Sequence, residues 1–484
     1  MSKEYTVVIG LEVHVQLKTE SKLFCGCSTG FGAEQNTHTC PVCLGLPGVL
    51  PVSNKKAVEL TILTALALNC EIQKYSKFDR KNYFYPDLPK NYQTSQFDKP
   101  FSKNGQLEIT VNGVKKVIGV TRAHLEEDAG KLVHVGAGGQ IGAAEESLVD
   151  LNRTGIPLLE IVSEPDMRSP LEAYEYLTTL KSLIQYIGAS DCDMEKGTLR
   201  CDANISLMEK GADKFGEKIE IKNLNSFKNV QKALEFEAAR QAEALDNGEK
   251  LRQETRLFNA DLGETVPMRS KEEAHDYRYF PEPDLVAFEF TDAMIEEIRA
   301  KLVELPAART SRFVSQYGLP EYDAGVLTAS KETADYFENC VKLLNKPKAL
   351  SNLIMTDLGG LLNENKIEIK NSPVTPENLV KLVNLVECGT ISGKIAKTVF
   401  AEMFTTKDDP GIIVKRNGLV QISDEGAIAQ VVEKVLTENQ KAVQDFKSGN
   451  ERALGSLVGQ VMKATGGKAN PAVVNKLLKE KLTK

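Results

Sequence analysis

VIGLEVHVQLK, residues 8–18, puts Leu11, Val13, Val15 and Leu17 on one face and Glu12, His14 and Gln16 on the other. A period of two belongs to the β-strand, so the stretch predicts a strand with one buried and one polar face. The pattern recurs at GQLEITVNG (105–113) with KKVIGVTRAHLEED (115–128), at SLVDLNRTG (147–155), across DCDMEKGTLRCDANISL (191–207) and at EKIEIKNLNS (217–226). Glu195-Lys196-Gly197 is turn-like and predicts a hairpin within the fourth of these. Residues 1–290 are therefore expected to be strand-rich, with polar side chains converging on one side if the strands are neighbours.

Helices interrupt this sheet. Ser169-Pro170-Leu171-Glu172 has capping-box spacing with Pro at the first helical position, and Ala173, Leu177, Leu180, Ile184 and Ile187 follow at intervals of four and three. A helix is predicted over about 170–187, with others near 55–69 and 228–247, the last stopped by Asn247-Gly248. Beyond Leu285 the pattern is helical throughout. Thr405 to Gly411 is polar and ends in Pro-Gly, so it reads as a linker. The expected architecture is α+β: a strand-rich domain (1–290), a helical domain (291–408) and a small helical tail domain (411–484).

The chain has 484 residues, 42% hydrophobic and 26% charged, which excludes disordered, collagen-like and disulfide-scaffold classes. It exceeds the ~250–300 residues at which single cores stop growing, so several domains are expected. No stretch approaches the ~18 apolar residues of a membrane span, and the amino terminus shows no signal-peptide pattern, so a cytoplasmic protein is expected. The net charge of −7 argues against a generic nucleic-acid binder, but it is unevenly spread. Residues 411–484 carry 12 Lys and Arg against 7 Asp and Glu, leaving 48 against 60 for the rest. A basic helical tail can track a phosphodiester backbone, and charge alone equally permits a solvated helix face.

Three further constellations could carry chemistry. Cys25-Gly26-Cys27 and Cys40-Pro41-Val42-Cys43 form two knuckles that can close a tetrahedral, structural zinc site; four buried cysteines without metal is the plainer reading. Glu12, His14, His124, Glu126, Glu127, Asp150, Asn152, Asp191, Asp193, Asp202, Asn204, Glu220 and Lys222 lie in or beside the strand-like segments. Oxygen ligands with an occasional imidazole suit Mg²⁺ with nucleotide phosphates; a solvated sheet face is the competing reading. FDRKNYFYPDLPKNYQTSQFDKP (78–100) interleaves Arg80, Lys81 and Lys90 with Tyr83, Phe84, Tyr85 and Tyr92, which suits a base and its phosphates or a loop pinned to the core. DYRYFPEPDL (276–285) is analogous. GADKFGEK (211–218) and GAGGQIG (136–142) both miss the familiar phosphate-loop patterns.

VIGLEVHVQL, FDRKNYFYPD, HLEEDAGK, DLNRTGIPLLEIVSEPD, EKGTLRCDANISL, EIKNLNSF and DYRYFPEPDL together closely resemble the B subunit of the bacterial tRNA-dependent amidotransferases. The resemblance implies an antiparallel-sheet cradle followed by a helical domain and a small helical tail domain, and an ATP-dependent carbon–nitrogen ligase that works in a heterotrimer with an amidase subunit and one further, small subunit. Ammonia released from glutamine by the amidase would reach this chain, where the side-chain carboxylate of Glu-tRNA(Gln) or Asp-tRNA(Asn) is phosphorylated by Mg²⁺-ATP and then amidated. It implies Glu12, His14 and Glu127 as magnesium ligands and activating residues, and Lys81 at the channel mouth. Glu126, Asp150, Asp193, Arg80 and Tyr83 are the further candidates for the nucleotide and its metal. Cys25, Cys27, Cys40 and Cys43 match the zinc-bearing members, and the tail would meet the tRNA. A non-catalytic tRNA-binding scaffold is the alternative.

Overall fold

The structure, a computed structural model, describes residues 4–135, 146–212, 214–268, 277–420, 424–448, 450 and 452–482. GAGGQIG and Asp213 of GADKFGEK lie outside the described residues, as does Asp276 of the second aromatic segment. The chain divides into two units, Met1–Leu305 and Pro306–Lys484.

The first unit is built on a nine-stranded sheet. Its order is Glu264–Pro267, Glu254–Asn259, Ile219–Lys222, Leu199–Glu209, Tyr5–Gln16, Pro157–Ser163, Val114–Glu127, Ser102–Val111 and Glu71–Ile72. Every pairing is antiparallel except Ile219–Lys222 with Glu254–Asn259, which a crossover through helix Phe227–Asp246 makes parallel. Leu11, Val13 and Val15 are buried as the alternation requires. They join one core with Tyr176, Leu177, Leu180 and Ile184 of helix Pro170–Tyr186, Val230 and Leu234 of Phe227–Asp246, and Ile62 and Leu66 of Lys55–Ala67. Each fully buried aliphatic stabilises by about 1.5–3 kcal/mol, so the helices hold the apolar face firmly and leave the polar face for other uses. Ser169 and Ser226 cap their helices, accepting from the backbone N–H of Glu172 and Asn229.

The expected hairpin at Glu195-Lys196-Gly197 is only a turn. Asp193 accepts from the N–H groups of Glu195 and Lys196, so residues 191–197 have no ladder of their own and the strand begins at Leu199.

The second unit is helical, with two cores. One gathers Phe313, Phe337, Leu350, Leu379, Phe400 and Ile413; the other gathers Ile428, Val432, Leu457, Val461, Val474 and Leu478. The expected division at residues 408–411 needs correction. Pro410 opens helix Pro410–Arg416, capped by Asp409, and Ile413 and Val414 pack into the first helical core, so that core continues past the polar stretch. At the other junction Phe290 and Ile295 belong to the core of the sheet unit, which therefore extends beyond residue 290. No described helix is long and apolar enough to cross a membrane.

Candidate functional site

Strand register brings the polar face together. Antiparallel pairing sets Arg200 opposite His14, His14 opposite Glu160 and Glu160 opposite His124, a row across four adjacent strands. Glu126, two residues beyond His124, shares its face. His14 Nε2 lies 3.5 Å from Glu160 and 3.8 Å from Glu126, and His124 Nε2 lies 3.4 Å and 3.8 Å from the same two carboxylates. His14, Glu126 and Glu160 each offer a ligand atom within 4.8 Å of the others, which fits a divalent cation. Ser95 Oγ donates to Glu126 at 3.0 Å.

Glu126, Glu160 and His124 are buried and His14 is half-buried, and their charges act on one another. Burial raises the Glu160 carboxyl, but the His124 and His14 imidazoles and the Lys81 ammonium outweigh it and hold the group well below the usual carboxylate range. Burial lowers the His14 imidazole, yet its bond to Glu160 and the Glu160 and Glu126 charges leave it raised overall. Lys81, on the short Asp79–Asn82 strand, is likewise raised against its burial, first by Glu126. Its ammonium sits 4.8 Å over the Tyr277 ring and 5.8 Å over Tyr83. Asp128 accepts from Arg200 and from Gln16 Nε2, both at 2.8 Å, which fixes Arg200 beside His14.

The expected magnesium set of Glu12, His14 and Glu127 is therefore not the one the fold assembles. Glu127 follows Glu126 directly, so the pleat turns it to the other face, where it accepts from Lys90 and from the Thr94 N–H. Glu12 lies one row along from His14, opposite Asp202, and accepts from Asn204 Nδ2 at 3.2 Å. Asp150 takes the N–H groups of Asn36 and Asn152, and Asp193 caps its turn and pairs with Lys196; both serve local loops. Arg80 is committed to Glu282 through two 2.8 Å hydrogen bonds and stacks 4.3 Å over Tyr92. Tyr83 packs edge-on against Tyr277. Sequence reasoning missed Glu160, a lone carboxylate in the apolar run Pro157–Ser163; its signal was a charge where the strand is otherwise buried.

The four knuckle thiols lie within 4.8 Å of one another, close to the ~3.8 Å tetrahedral edge implied by Zn–S bonds of about 2.3 Å. The Cys40 N–H points at Cys43 Sγ, and the Lys22 ammonium, itself buried, stands 3.7 Å from the same sulfur. The Cys25 hydrogen bond, then the Cys40 N–H and the Lys22 charge, bring the Cys43 thiol down to about 5 against its burial. A ready thiolate among three thiols fits zinc. Lys22 also donates to the carbonyls of His38 and Leu151, tying the knuckle to the loop that precedes the Pro157–Ser163 strand.

The sheet is open and largely antiparallel, with the His14–Glu126–Glu160 set on its polar face, and residues 7–296 match the family described as GatB/GatE catalytic domain. Residues 335–482 match the one described as GatB domain. The chain belongs to the family of B subunits of aspartyl/glutamyl-tRNA(Asn/Gln) amidotransferases. It is 60% identical over 482 residues to the B subunit from Carboxydothermus hydrogenoformans, with 100% of each chain covered. The Brevibacillus brevis protein is 58% identical (100% of this chain, 99% of the relative), and that of Moorella thermoacetica 57% (99% and 100%).

Proposed function

We propose that this chain is the carboxylate-activating subunit of a cytoplasmic, glutamine-dependent tRNA amidotransferase, a heterotrimer completed by an amidase and one small further subunit. Its substrates are ATP and Glu-tRNA(Gln), Asp-tRNA(Asn) or both. A side-chain carboxylate oxygen takes the γ-phosphoryl group and ADP departs; ammonia from the amidase then attacks the acyl carbon, phosphate leaves, and the amide remains.

The observation that carries this reading is the His14–Glu126–Glu160 set, two of its members buried, with the Lys81 ammonium held in the charge field of Glu126 and Glu160. Phosphoryl transfer asks for positioning and charge neutralisation rather than a protein nucleophile. His14, Glu126 and Glu160 would hold Mg²⁺, which when bound neutralises charge on the transferred group. Lys81 and Arg200 supply fixed positive charge, Lys81 suited to drawing in the side-chain carboxylate. Glu12, displaced by one row on the same polar face and held by Asn204, would extend the acidic surface available to the metal and nucleotide. Zinc in the knuckle staples the Lys22–Leu151 loop and has no step in the reaction. The sheet unit activates the carboxylate, and the basic tail holds the tRNA.

Glu160→Gln in the assembled complex tests this. Amide formation should fall by at least ~10²-fold, the scale of one lost electrostatic contact, while the amidase's glutaminase activity persists. Amidation at the wild-type rate would favour the scaffold reading, with chemistry wholly in the amidase.

A further inference from the structure

Arg200 carries a donor that the protein leaves unused. Its Nη2 donates to Asp128 at 2.8 Å, while its Nε is buried and has no partner among the described residues. A buried N–H without an acceptor is costly, so one kept beside a reaction site points to an acceptor that arrives with the substrate. The Arg200 side chain is 38% exposed and that of Asp128 only 2%, so the pair is anchored at its carboxylate and open at its cation. Arg200 stands opposite His14 in the strand register, on the polar face of the sheet.

Asp128 is itself held from several sides. Its Oδ2 accepts from Gln16 Nε2 at 2.8 Å, and its Oδ1 accepts the Ala129 N–H at 2.9 Å as well as Arg200. Arg153 Nε lies 3.7 Å away and donates to the Ala129 carbonyl, which fixes the turn. With Oδ2 given to Gln16, Asp128 takes Arg200 by one nitrogen instead of the two-nitrogen fork open to such pairs, and Nε is left over. A planar guanidinium with a donor to spare matches the oxygens of a phosphoryl group. We propose that Arg200 hydrogen-bonds the γ-phosphoryl oxygens during transfer, and that Asp128 is the positioning residue that aims it. The proposal deepens the functional reading above and rests on it. In the step, the bond from phosphorus to the β–γ bridging oxygen breaks and ADP leaves with the electron pair. A carboxylate oxygen of the substrate forms the new bond to phosphorus. Arg200 donates hydrogen bonds to the oxygens that stay on phosphorus, and no proton passes to or from it.

The test measures steady-state amidation of Glu-tRNA(Gln) by the assembled complex, with ATP and with its γ-thio analogue, in which sulfur replaces one of those oxygens. Sulfur accepts hydrogen bonds poorly, so the ratio of kcat with ATP to kcat with the analogue reports contact with the phosphoryl group. Arg200→Ala should lower kcat with ATP by ~10²- to 10³-fold, the effect of losing one such donor, and bring the ratio toward one. Asp128→Asn, which keeps an acceptor for Arg200, should lower both kcat and the ratio, and should add nothing further in the Arg200→Ala background, because it acts through Arg200. The KM for Glu-tRNA(Gln) should stay within about two-fold throughout, since the contact forms only in transfer. The ratio compares two substrates on one preparation, so a partly unfolded variant does not move it, and Arg200→Lys supplies the ratio if Arg200→Ala turns over too slowly. A wild-type ratio near one, or a ratio that the variants leave unchanged, would overturn the proposal and leave Arg200 and Asp128 as a structural pair. Further loss from Asp128→Asn in the Arg200→Ala background would overturn the positioning role. A wild-type complex with no ATP-dependent amidation would refute the functional reading and this inference with it, whereas normal amidation with unchanged ratios would refute this inference alone.

Discussion

Glu126 and Glu127 are chemically identical neighbours on opposite faces of one strand. Glu126 stands with His14 and Glu160, whereas Glu127 is the partner of a Lys90 side chain only 11% exposed. Their substitutions should therefore fail differently. Glu127→Gln leaves a buried ammonium without its charge partner, so the expected effect is on stability, toward the ~3–5 kcal/mol of a broken buried pair, read as a lowered denaturant midpoint. A variant as stable as wild type but inactive would put Glu127 back among the reacting groups. Backbone crowding supplies a second case. A Cβ at Gly105 would overlap Cys70 Sγ and lie 2.9 Å from the Leu68 carbonyl oxygen, which accepts from the Gln106 N–H. Gly105→Ala should cost about 1–3 kcal/mol, seen in the same denaturation curve, and a neutral effect would mean that the Leu68 turn yields freely. His14 was legible in the sequence from strict alternation. Glu160 was not, because its importance comes from pairing with His14 and His124, which lie on two other strands, both far earlier in the chain.

Helices announced themselves by their caps: Ser169-Pro170 and Asn247-Gly248 mark boundaries that the structure reproduces within a residue or two. Polar composition misled at Thr405–Gly411, where Asp409 is a helix cap and Pro410 a first helical residue, both of which look like linker in isolation. The knuckle was legible because thiol spacing is itself geometry, while the buried Lys22 beside Cys43 was invisible without the fold. Cys43→Ser should lower zinc from about one equivalent per chain, by elemental analysis, and loosen the Lys22–Leu151 loop. Undiminished zinc would exclude Cys43 as a ligand. In helix Lys331–Leu343, Glu338 accepts from Arg309, Arg312 and Tyr317. Burial raises its carboxyl, but the bonds from Arg312, Arg309 and Tyr317 bring it down to about 2 from an ordinary 4.5. A depressed carboxyl stabilises fully above its unfolded value and loses that contribution as the pH falls toward the folded one. Glu338→Gln should thus melt below wild type at pH 7, with the gap closing between about pH 4.5 and 2. A gap independent of pH would mean that charge is not what holds this network.

At the scale of the whole molecule the net charge of −7 is the sum of an acidic body and a basic end. Glu126 and Glu160 of the acidic body gather with His14 on the polar face of the sheet, and the tail retains its own core of Ile428, Val432, Leu457, Val461 and Leu478. Removing the chain from Asp424 onward should weaken tRNA binding and flatten its salt dependence without changing the KM for ATP. An unaltered salt slope would leave the tail as a solvated surface. Because that tail core begins at Ile428, truncation at Pro410 would instead cut into the first helical core and confound the result. In the proposed reaction the chain joins phosphate to a side-chain carboxylate, and oxygen labelling reads that bond directly. With ¹⁸O in the side-chain carboxylate of Glu-tRNA(Gln), the assembled complex should release inorganic phosphate carrying one labelled oxygen for each amide formed, and the Glu160→Gln complex should release almost none. Unlabelled phosphate alongside normal amide formation would contradict the acyl-phosphate route and the role given to the His14–Glu126–Glu160 site.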